Sequence, residues 1–159
     1  QYEEISIAFW VNVNRIDYAY NALLNSDLFD PGDLHFQINR RGLVWPNVMG
    51  KIPSAQTFVG HPLELGKWQH IVGVVSVAES KHLTYVNGDL VREQDCQSKF
   101  PVTPGECRLG NWLAIPNWNH APNRAFKGRM DEVAIWKRSL TAQEVKAHYE
   151  AGRPSLLDK

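Results

Sequence analysis

Several features are scarce in this 159-residue chain, and each scarcity removes a class of explanation. Charge of one sign is absent: 17 Lys and Arg are balanced by 17 Asp and Glu. A binder of nucleic acid or of an anionic membrane needs a basic surplus to hold phosphate, so neither partner is expected. No stretch approaches the roughly 18 consecutive apolar residues of a membrane-spanning helix, so no membrane insertion by this segment is expected. There is no basic-then-apolar leader, and the chain opens at Gln1 rather than Met and runs almost at once into a strand pattern. That is the look of a domain cut from a longer protein. Cysteine is limited to Cys96 and Cys107, with no CxxC pair and hence no zinc site. A bridge between them closes a short loop worth about 3 kcal/mol and suits an exported protein, and two unpaired thiols are the alternative. A glycine-rich phosphate loop and an HExxH helix are both missing. None of the six histidines, His35, His61, His70, His82, His120 and His148, sits in a catalytic-looking motif.

What is plentiful is the aromatic class: six Trp, five Tyr and six Phe in a chain that is 43% hydrophobic and 21% charged. The composition is globular, and the length fits one domain with a sizeable core. Indoles are costly to bury completely and common where a surface holds something, so their placement matters.

The dominant periodicity is two. Across Ile5 to Val13 every odd position is large and apolar, which marks a strand with one face in a core. Tyr20 to Asn25 and Asp33 to Asn39 read as further strands, with Asp27 to Asp33 as the turn between them around Pro31-Gly32. Trp68 to Val77 is apolar on both parities, as in a central strand buried on both sides. Leu83 to Val86 and Asp89 to Val91 flank Asn87-Gly88, the strongest short hairpin signal. Cys107 to Leu113 and Phe126 to Trp136 complete the strands. Val44 to Gln56 and Leu113 to Ala125 read as long loops, which in compact domains are often functional. One stretch is helical. Thr141 and Glu144 form a capping box, Val145, His148 and Tyr149 follow at helical spacing, and Gly152 with Pro154 signals the stop. Many short strands followed by one helix predict an all-β sandwich with a helix at its edge.

Four pieces in the C-terminal half then carry a resemblance. They are Gly66 to Val74, Leu83 to Gly88, Arg108 to Gly110 followed by Phe126 to Trp136, and Leu140 to Val145. In this order and spacing they resemble the laminin G-like modules of the concanavalin A-like lectin/glucanase superfamily, over about residues 1 to 152, with 153 to 159 as a tail or linker. The resemblance implies a jelly-roll sandwich of two curved antiparallel sheets, one of them concave with ligand-hosting rim loops. It implies a non-catalytic module that frequently binds carbohydrate, sometimes protein, sometimes with calcium. The family usually has a strand before the one that begins here at Ile5, which fits a trimmed fragment or a strand supplied from elsewhere. Asp131, at the start of the inward-facing part of the last strand, is expected either to accept turn N–H groups or to bind a cation.

Catalysis finds little support in the pattern. A retaining glycosidase needs two carboxyl groups about 5 Å apart on one face. Asp131 and Glu132 are adjacent, so in a regular strand they point to opposite faces. Glu93 and Asp95 share parity but follow a hairpin and look like a solvated edge. Binding is better served. Sugars stack C–H faces on aromatic rings while their hydroxyls seek Asn, Asp, Arg or His. Trp112, Asn117, Trp118, Asn119 and His120 offer that mixture in one loop; Trp45 and Asn47, beside Arg40, offer it in the other. Trp10, Trp68 and Trp136 lie in strands, where packing explains them. The alternative for Trp45, Trp112 and Trp118 is that they plug the open ends of the sandwich.

No cofactor is required by this reading. Asp27, Asp30 and Asp33 lie within one turn and leave a structural calcium as an alternative to a plain turn. The sequence therefore points to carbohydrate recognition inside a larger exported or surface protein, localised outside the cytoplasm. The alternative is a protein–protein interaction or architectural ectodomain module of a membrane-linked regulator, whose loops pack against another domain, and a glycoside hydrolase stands third.

Overall fold

The computed structural model describes residues 1–26, 30–48, 62–95, 100–112 and 124–157. Nine strands and one helix follow in chain order: β1 (Glu4–Arg15), β2 (Tyr20–Ser26), β3 (Leu34–Asn39), β4 (Val44–Val48), β5 (Trp68–Ser76), β6 (Lys81–Val86), β7 (Asp89–Asp95), β8 (Cys107–Leu109), β9 (Lys127–Trp136) and α1 (Ala142–Leu157). They build two antiparallel sheets, a five-stranded one in the order β7-β6-β5-β1-β9 and a four-stranded one in the order β4-β3-β2-β8. The all-β sandwich with one C-terminal helix is thus present as its sequence pattern predicts.

The period-two residues decide which way each sheet faces. Ile5, Ile7, Phe9, Val11 and Val13 of β1 meet Leu34, Phe36 and Ile38 of β3 in one core between the sheets. Phe9 and Phe36 touch edge to face, their ring centroids 5.0 Å apart. That geometry suits the aromatic quadrupole and adds to simple burial. β5 lies in the middle of its sheet and is buried along nearly its whole length, as its apolarity on both parities predicts. The Asn87-Gly88 hairpin forms with both residues at positive φ, 52° and 83°, between β6 and β7.

Four sequence expectations are corrected. Val44–Val48 is not part of a loop. It pairs with β3 as the edge strand of the four-stranded sheet, where Pro46 is tolerated because one row of N–H groups needs no ladder partner. The strand from Cys107 ends at Leu109. The last strand is interrupted by a bulge: Trp10 pairs with Asp131 and Ala8 with Ala134, so β9 holds one extra residue, and Glu132 takes φ 49°. Asp131 and Glu132 therefore do not alternate faces. Asp131 stands opposite Trp10, outside the core rather than inside it, and its carboxylate accepts the Glu132 N–H at 2.9 Å.

The fourth correction concerns α1. Its capping box forms as expected: Glu144 N–H donates to Thr141 Oγ1 at 3.2 Å, and Thr141 N–H donates to Glu144 Oε2 at 2.8 Å. Gly152, however, does not stop the helix, which continues through Pro154 to Leu157. The glycine is used for close approach. A Cβ placed there would lie 2.5 Å from Trp10 Nε1 and 3.0 Å from Glu132 Oε2. Trp10 in turn stacks on Tyr149 at 5.7 Å, so α1 is docked flat on the outer side of β1. Gly152→Val is expected to cost about 1–3 kcal/mol by overpacking against the indole, read as a lowered midpoint in urea unfolding. An unchanged midpoint would show that α1 contributes nothing to the fold at this contact.

Candidate functional site

The sheet faces not used for the core differ sharply. On the five-stranded sheet the outer side is covered by α1: Ala8, Val72, Val74, Tyr85, Leu140 and Val145 form a second buried cluster. His70 lies beneath the helix, its Nε2 3.0 Å from His148 Nδ1, and burial together with the neighbouring His148 holds its pKa down to about 4.

On the four-stranded sheet the outer side is polar and aromatic. Alternation places His35, Gln37 and Asn39 of β3 on the side opposite Leu34, Phe36 and Ile38. The register sets Asn25 of β2 and Asn47 of β4 directly across from His35, and Ala22 and Trp45 directly across from Gln37. Tyr20 stands across from Asn39, and Arg108 of β8 across from Asn25. Alternation along the strands, together with the register shift in β2 between Ala22 and Leu24 that turns Asn25 to the side of Tyr20, puts these nine side chains on one side of the sheet, where Asn25, His35, Gln37 and Asn47 are buried.

Arg124 completes the cluster. Its carbonyl accepts the Ala22 N–H at 2.7 Å, which fixes its backbone beside β2. Its guanidinium then crosses the sheet face. Nη1 donates to Gln37 Oε1 at 3.1 Å and lies 3.4 Å from His35 Nδ1. The same group sits over the Trp112 ring at 4.1 Å and over the Tyr20 ring at 5.0 Å. Asn25 Nδ2 also donates to Gln37 Oε1, at 3.4 Å. Asn25 Oδ1 is buried with no hydrogen-bond partner among the described residues. Burial lowers the Arg124 pKa to about 10, so the group still carries its charge at neutral pH.

The sequence-nominated residues divide accordingly. Trp45 and Asn47 belong to this face through β4, and Trp45 is half-buried beside Tyr20, ring centroids 6.3 Å apart. Arg40 is exposed in the turn joining β3 to β4. Trp112 is only 5% exposed and lies between Arg124 and His35. Its position is that of a support beneath the guanidinium rather than of an open platform. Asn117, Trp118, Asn119 and His120 lie outside the described residues. Sequence reasoning missed Tyr20, Asn25, His35, Gln37 and Arg124. The signal for Tyr20, His35 and Gln37 was available in the alternation of β2 and β3; Asn25 has the opposite parity to Tyr20 and joins this side only through the register shift between Ala22 and Leu24, which no local pattern reports.

Metal chemistry has no visible seat here. Among the described residues no group of three or more His, Cys, Asp or Glu is placed to hold an ion. In the Asp27 to Asp33 turn, Asp33 Oδ2 accepts the Asp30 N–H at 2.7 Å, an ordinary turn contact, and Asp27 lies outside the described residues. Cys96 does too, so the expected bridge falls outside them. Cys107 Sγ lies 3.3 Å from the Pro104 carbonyl. Two clefts occur elsewhere: one lined by Val74, Lys81, Leu83 and Leu140 near the start of α1, and one lined by Asn14, Arg15, Phe126 and Lys127. Neither contains a residue of the polar sheet face.

With two antiparallel sheets around one core and a polar, aromatic outer face, the fold is that of a lectin-like β-sandwich. The chain belongs to the concanavalin A-like lectin/glucanases superfamily, its residues 2–146 matching a laminin G family of that superfamily. No curated protein matches the sequence. Solved structures do match. A proposed carbohydrate binding protein from Bacteroides ovatus superposes with a TM-score of 0.70 at 19% identity, over 91% of this chain and 40% of that one. A Trypanosoma rangeli sialidase matches with a TM-score of 0.63 at 16% identity, over 92% of this chain and 22% of the sialidase. Domain 4 of a GH43 extracellular arabinanase from Geobacillus stearothermophilus, solved with arabinotriose, matches with a TM-score of 0.61 at 20% identity. It is covered over 66% of its length, and this chain over 92%. The chain thus spans less than half the length of the first two of these structures.

Proposed function

We propose that this domain is a non-catalytic carbohydrate-recognition module of a larger exported or cell-surface protein, and that it binds its glycan on the outer face of the β4-β3-β2-β8 sheet. One observation carries the reading: amides, an imidazole, a guanidinium and two half-buried aromatic rings are gathered by strand register onto one side of one sheet. Asn25, His35, Gln37, Asn47 and Arg124 are only 0–6% exposed, so they form a buried network beneath this side of the sheet, and the half-buried Tyr20 and Trp45 with the exposed Arg40 and Arg108 are the side chains a ligand can reach. Here the polar atoms are oriented by one another, with Gln37 Oε1 accepting from both Arg124 and Asn25. That network holds the accessible rings in place, and rings flanked by exposed guanidinium donors match the C–H and hydroxyl surfaces of a sugar. The half-buried pair Tyr20 and Trp45 supplies the stacking surface, and Trp112 holds Arg124 from below.

The absence of any carboxylate from β2, β3, β4 and β8 supports a binding role over hydrolysis, because glycoside cleavage of the usual kind needs a carboxylate pair flanking the bond. The neighbours that bind or process carbohydrate support the same substrate class. The extracellular arabinanase among those neighbours supports the exported setting.

Trp45→Ala is expected to weaken glycan binding about tenfold, the size of one lost stacking contact. Trp68→Ala serves as a control, since Trp68 stands on the other sheet against Arg129. A glycan array followed by titration of the best ligand reads both variants. Equal affinities for the two variants, or no glycan bound by the parent chain, would overturn the reading.

A further inference from the structure

A pair of histidines lies where α1 meets the five-stranded sheet. His70 of β5 is fully buried, and its Nε2 faces His148 Nδ1 of α1 at 3.0 Å, with the rings stacked at 5.1 Å. Other rings enclose the pair: Trp10 of β1 lies 5.2 Å from His70, Tyr149 lies 6.0 Å from it, and Trp136 of β9 meets His148 edge-on at 5.1 Å. The two sides of this contact are not equally fixed. On the sheet, the His70 N–H donates to Asn87 Oδ1 at 3.0 Å and its carbonyl accepts the Asn87 N–H at 2.8 Å, which ties the backbone behind the ring to the hairpin. On the helix, the anchors are Leu140 and Val145 of the second cluster, the aromatic layer, and an exposed Lys146–Asp89 pair at 3.7 Å. Exposed ion pairs of that kind contribute little. A segment with so few buried anchors opens at a lower free energy than the strands of the core.

The contact accepts one added proton but not two. An imidazolium at His148 can donate from Nδ1 to the Nε2 of a neutral His70. A second proton, on His70, sets N–H against N–H and places two like charges in one buried contact. It also finds no acceptor behind it, because His70 Nδ1 is buried with no hydrogen-bond partner among the described residues. The charged groups around the layer do not answer that charge. Asp131 of β9 stands opposite Trp10, and Glu132 Oε2 borders Gly152. Lys146 of α1 and Asp89 of β7 face each other, Arg153 lies over the Tyr149 ring at 6.0 Å, and Glu150 is exposed. The hairpin offers only the uncharged Asn87. Among the described residues no carboxylate forms an ion pair with either imidazole.

We propose that the His70–His148 contact is an acid-sensitive latch, in which protonation of both imidazoles releases α1 from the five-stranded sheet while the two-sheet sandwich stays folded. Release uncovers Ala8, Val72, Val74 and Tyr85, so the domain presents a new apolar face at low pH. The sign follows from the two states of His70. With α1 released, the imidazole takes its proton near the ordinary 6.5, whereas with α1 docked, burial and the neighbouring His148 hold it down to about 4. Between those values the released state binds more protons, so acid favours release, and above them the helix stays docked. The latch is independent of where a glycan binds.

Amide hydrogen exchange of the whole 159-residue chain at pH 7, 6 and 5, corrected for the intrinsic pH dependence of exchange, measures how often each segment opens. Opening of α1 is expected to rise roughly twentyfold from pH 7 to pH 5. At pH 5 the α1 amides are expected to open at least about tenfold more often than those of Phe36 and Ile38 in β3, because the sandwich remains closed. His70→Phe keeps a buried ring and removes the titrating group, so its α1 opening is expected to change by less than about threefold over the same range. Three results would each overturn the latch: equal opening of α1 and β3 at pH 5, an α1 opening that does not change with pH, or an undiminished pH response in His70→Phe. The comparison of α1 with β3 in the parent chain decides the matter even where the variant fails to fold.

Discussion

Acidification from pH 7 to pH 4 is expected to destabilise this fold steeply, through two histidines that are buried uncharged. His70 lies under α1 and His82 between the sheets, and burial lowers the pKa of each to about 4 from an ordinary 6.5. His82 stands opposite Val75 of the core, forms a hydrogen bond to the Pro46 carbonyl of β4, and lies near Arg92. In the unfolded chain both histidines take up a proton near pH 6.5, whereas in the folded chain they resist until about pH 4. Between those values the unfolded state binds more protons, so stability falls as pH falls. The slope approaches about 1.4 kcal/mol per pH unit for each histidine, on the order of 3 kcal/mol each across the whole window. Above pH 6.5 the contribution is fully present. Urea unfolding at pH 7, 6, 5 and 4 measures it, and a flat free energy over that range would contradict the burial of both rings. The consequence reaches the binding face, because the His82 contact ties β6 to β4, the strand that carries Trp45 and Asn47.

The second large effect is Phe36→Ala, expected to cost about 3–5 kcal/mol in the same unfolding experiment. Phe36 is fully buried, meets Phe9 edge to face, and packs so closely on Gly73 that a Cβ there would lie 3.0 Å from its ring. The cavity left by truncation opens between the sheets directly behind His35 and Gln37. A cost under 1 kcal/mol would mean that the two sheets do not share the core described here. By comparison, Ile135→Thr on the exposed edge strand β9 is expected to change stability by only about 0.5 kcal/mol or less.

How much was legible in the sequence follows from the reach of each signal. Period two is a local property, so β1, β5 and the Asn87-Gly88 hairpin could be read directly. The capping box is local as well. The strand Val44–Val48 was hidden because its five residues contain Pro and Trp and no alternation marks its end, so its pairing with β3 was the evidence of it. Gly152 was read as a stop because glycine near a helix end usually is one. Its use against Trp10 depends on residues more than a hundred positions apart, and no local rule reports that. The bulge at Glu132 escaped for the same reason, since it is defined by the count of residues on the paired strand.

The site was partly legible. Trp45, Asn47 and Arg40 were nominated by composition, and strand register puts the first two on the polar face. Arg124 was invisible, because one isolated arginine carries no pattern. Its importance comes from where the Ala22 N–H pins its backbone and from the two rings it lies across. Trp112 was legible as an aromatic near the face but not as a buried support, since burial is set by what packs against it. The opening excess of six tryptophans thus resolves into three on the five-stranded sheet, one half-buried in β4, one buried under Arg124, and Trp118 outside the described residues.

Six indoles also give the most direct test of where the ligand lies. Each indole N–H gives its own signal in a proton–nitrogen spectrum, and a glycan identified on an array can be titrated in while they are watched. Recognition on the β4-β3-β2-β8 face predicts that the Trp45 signal moves most, with Trp112 following as Arg124 adjusts, while Trp10, Trp68 and Trp136 stay still. Movement confined to Trp10, Trp68 or Trp136 would place the ligand on the opposite sheet and contradict the account.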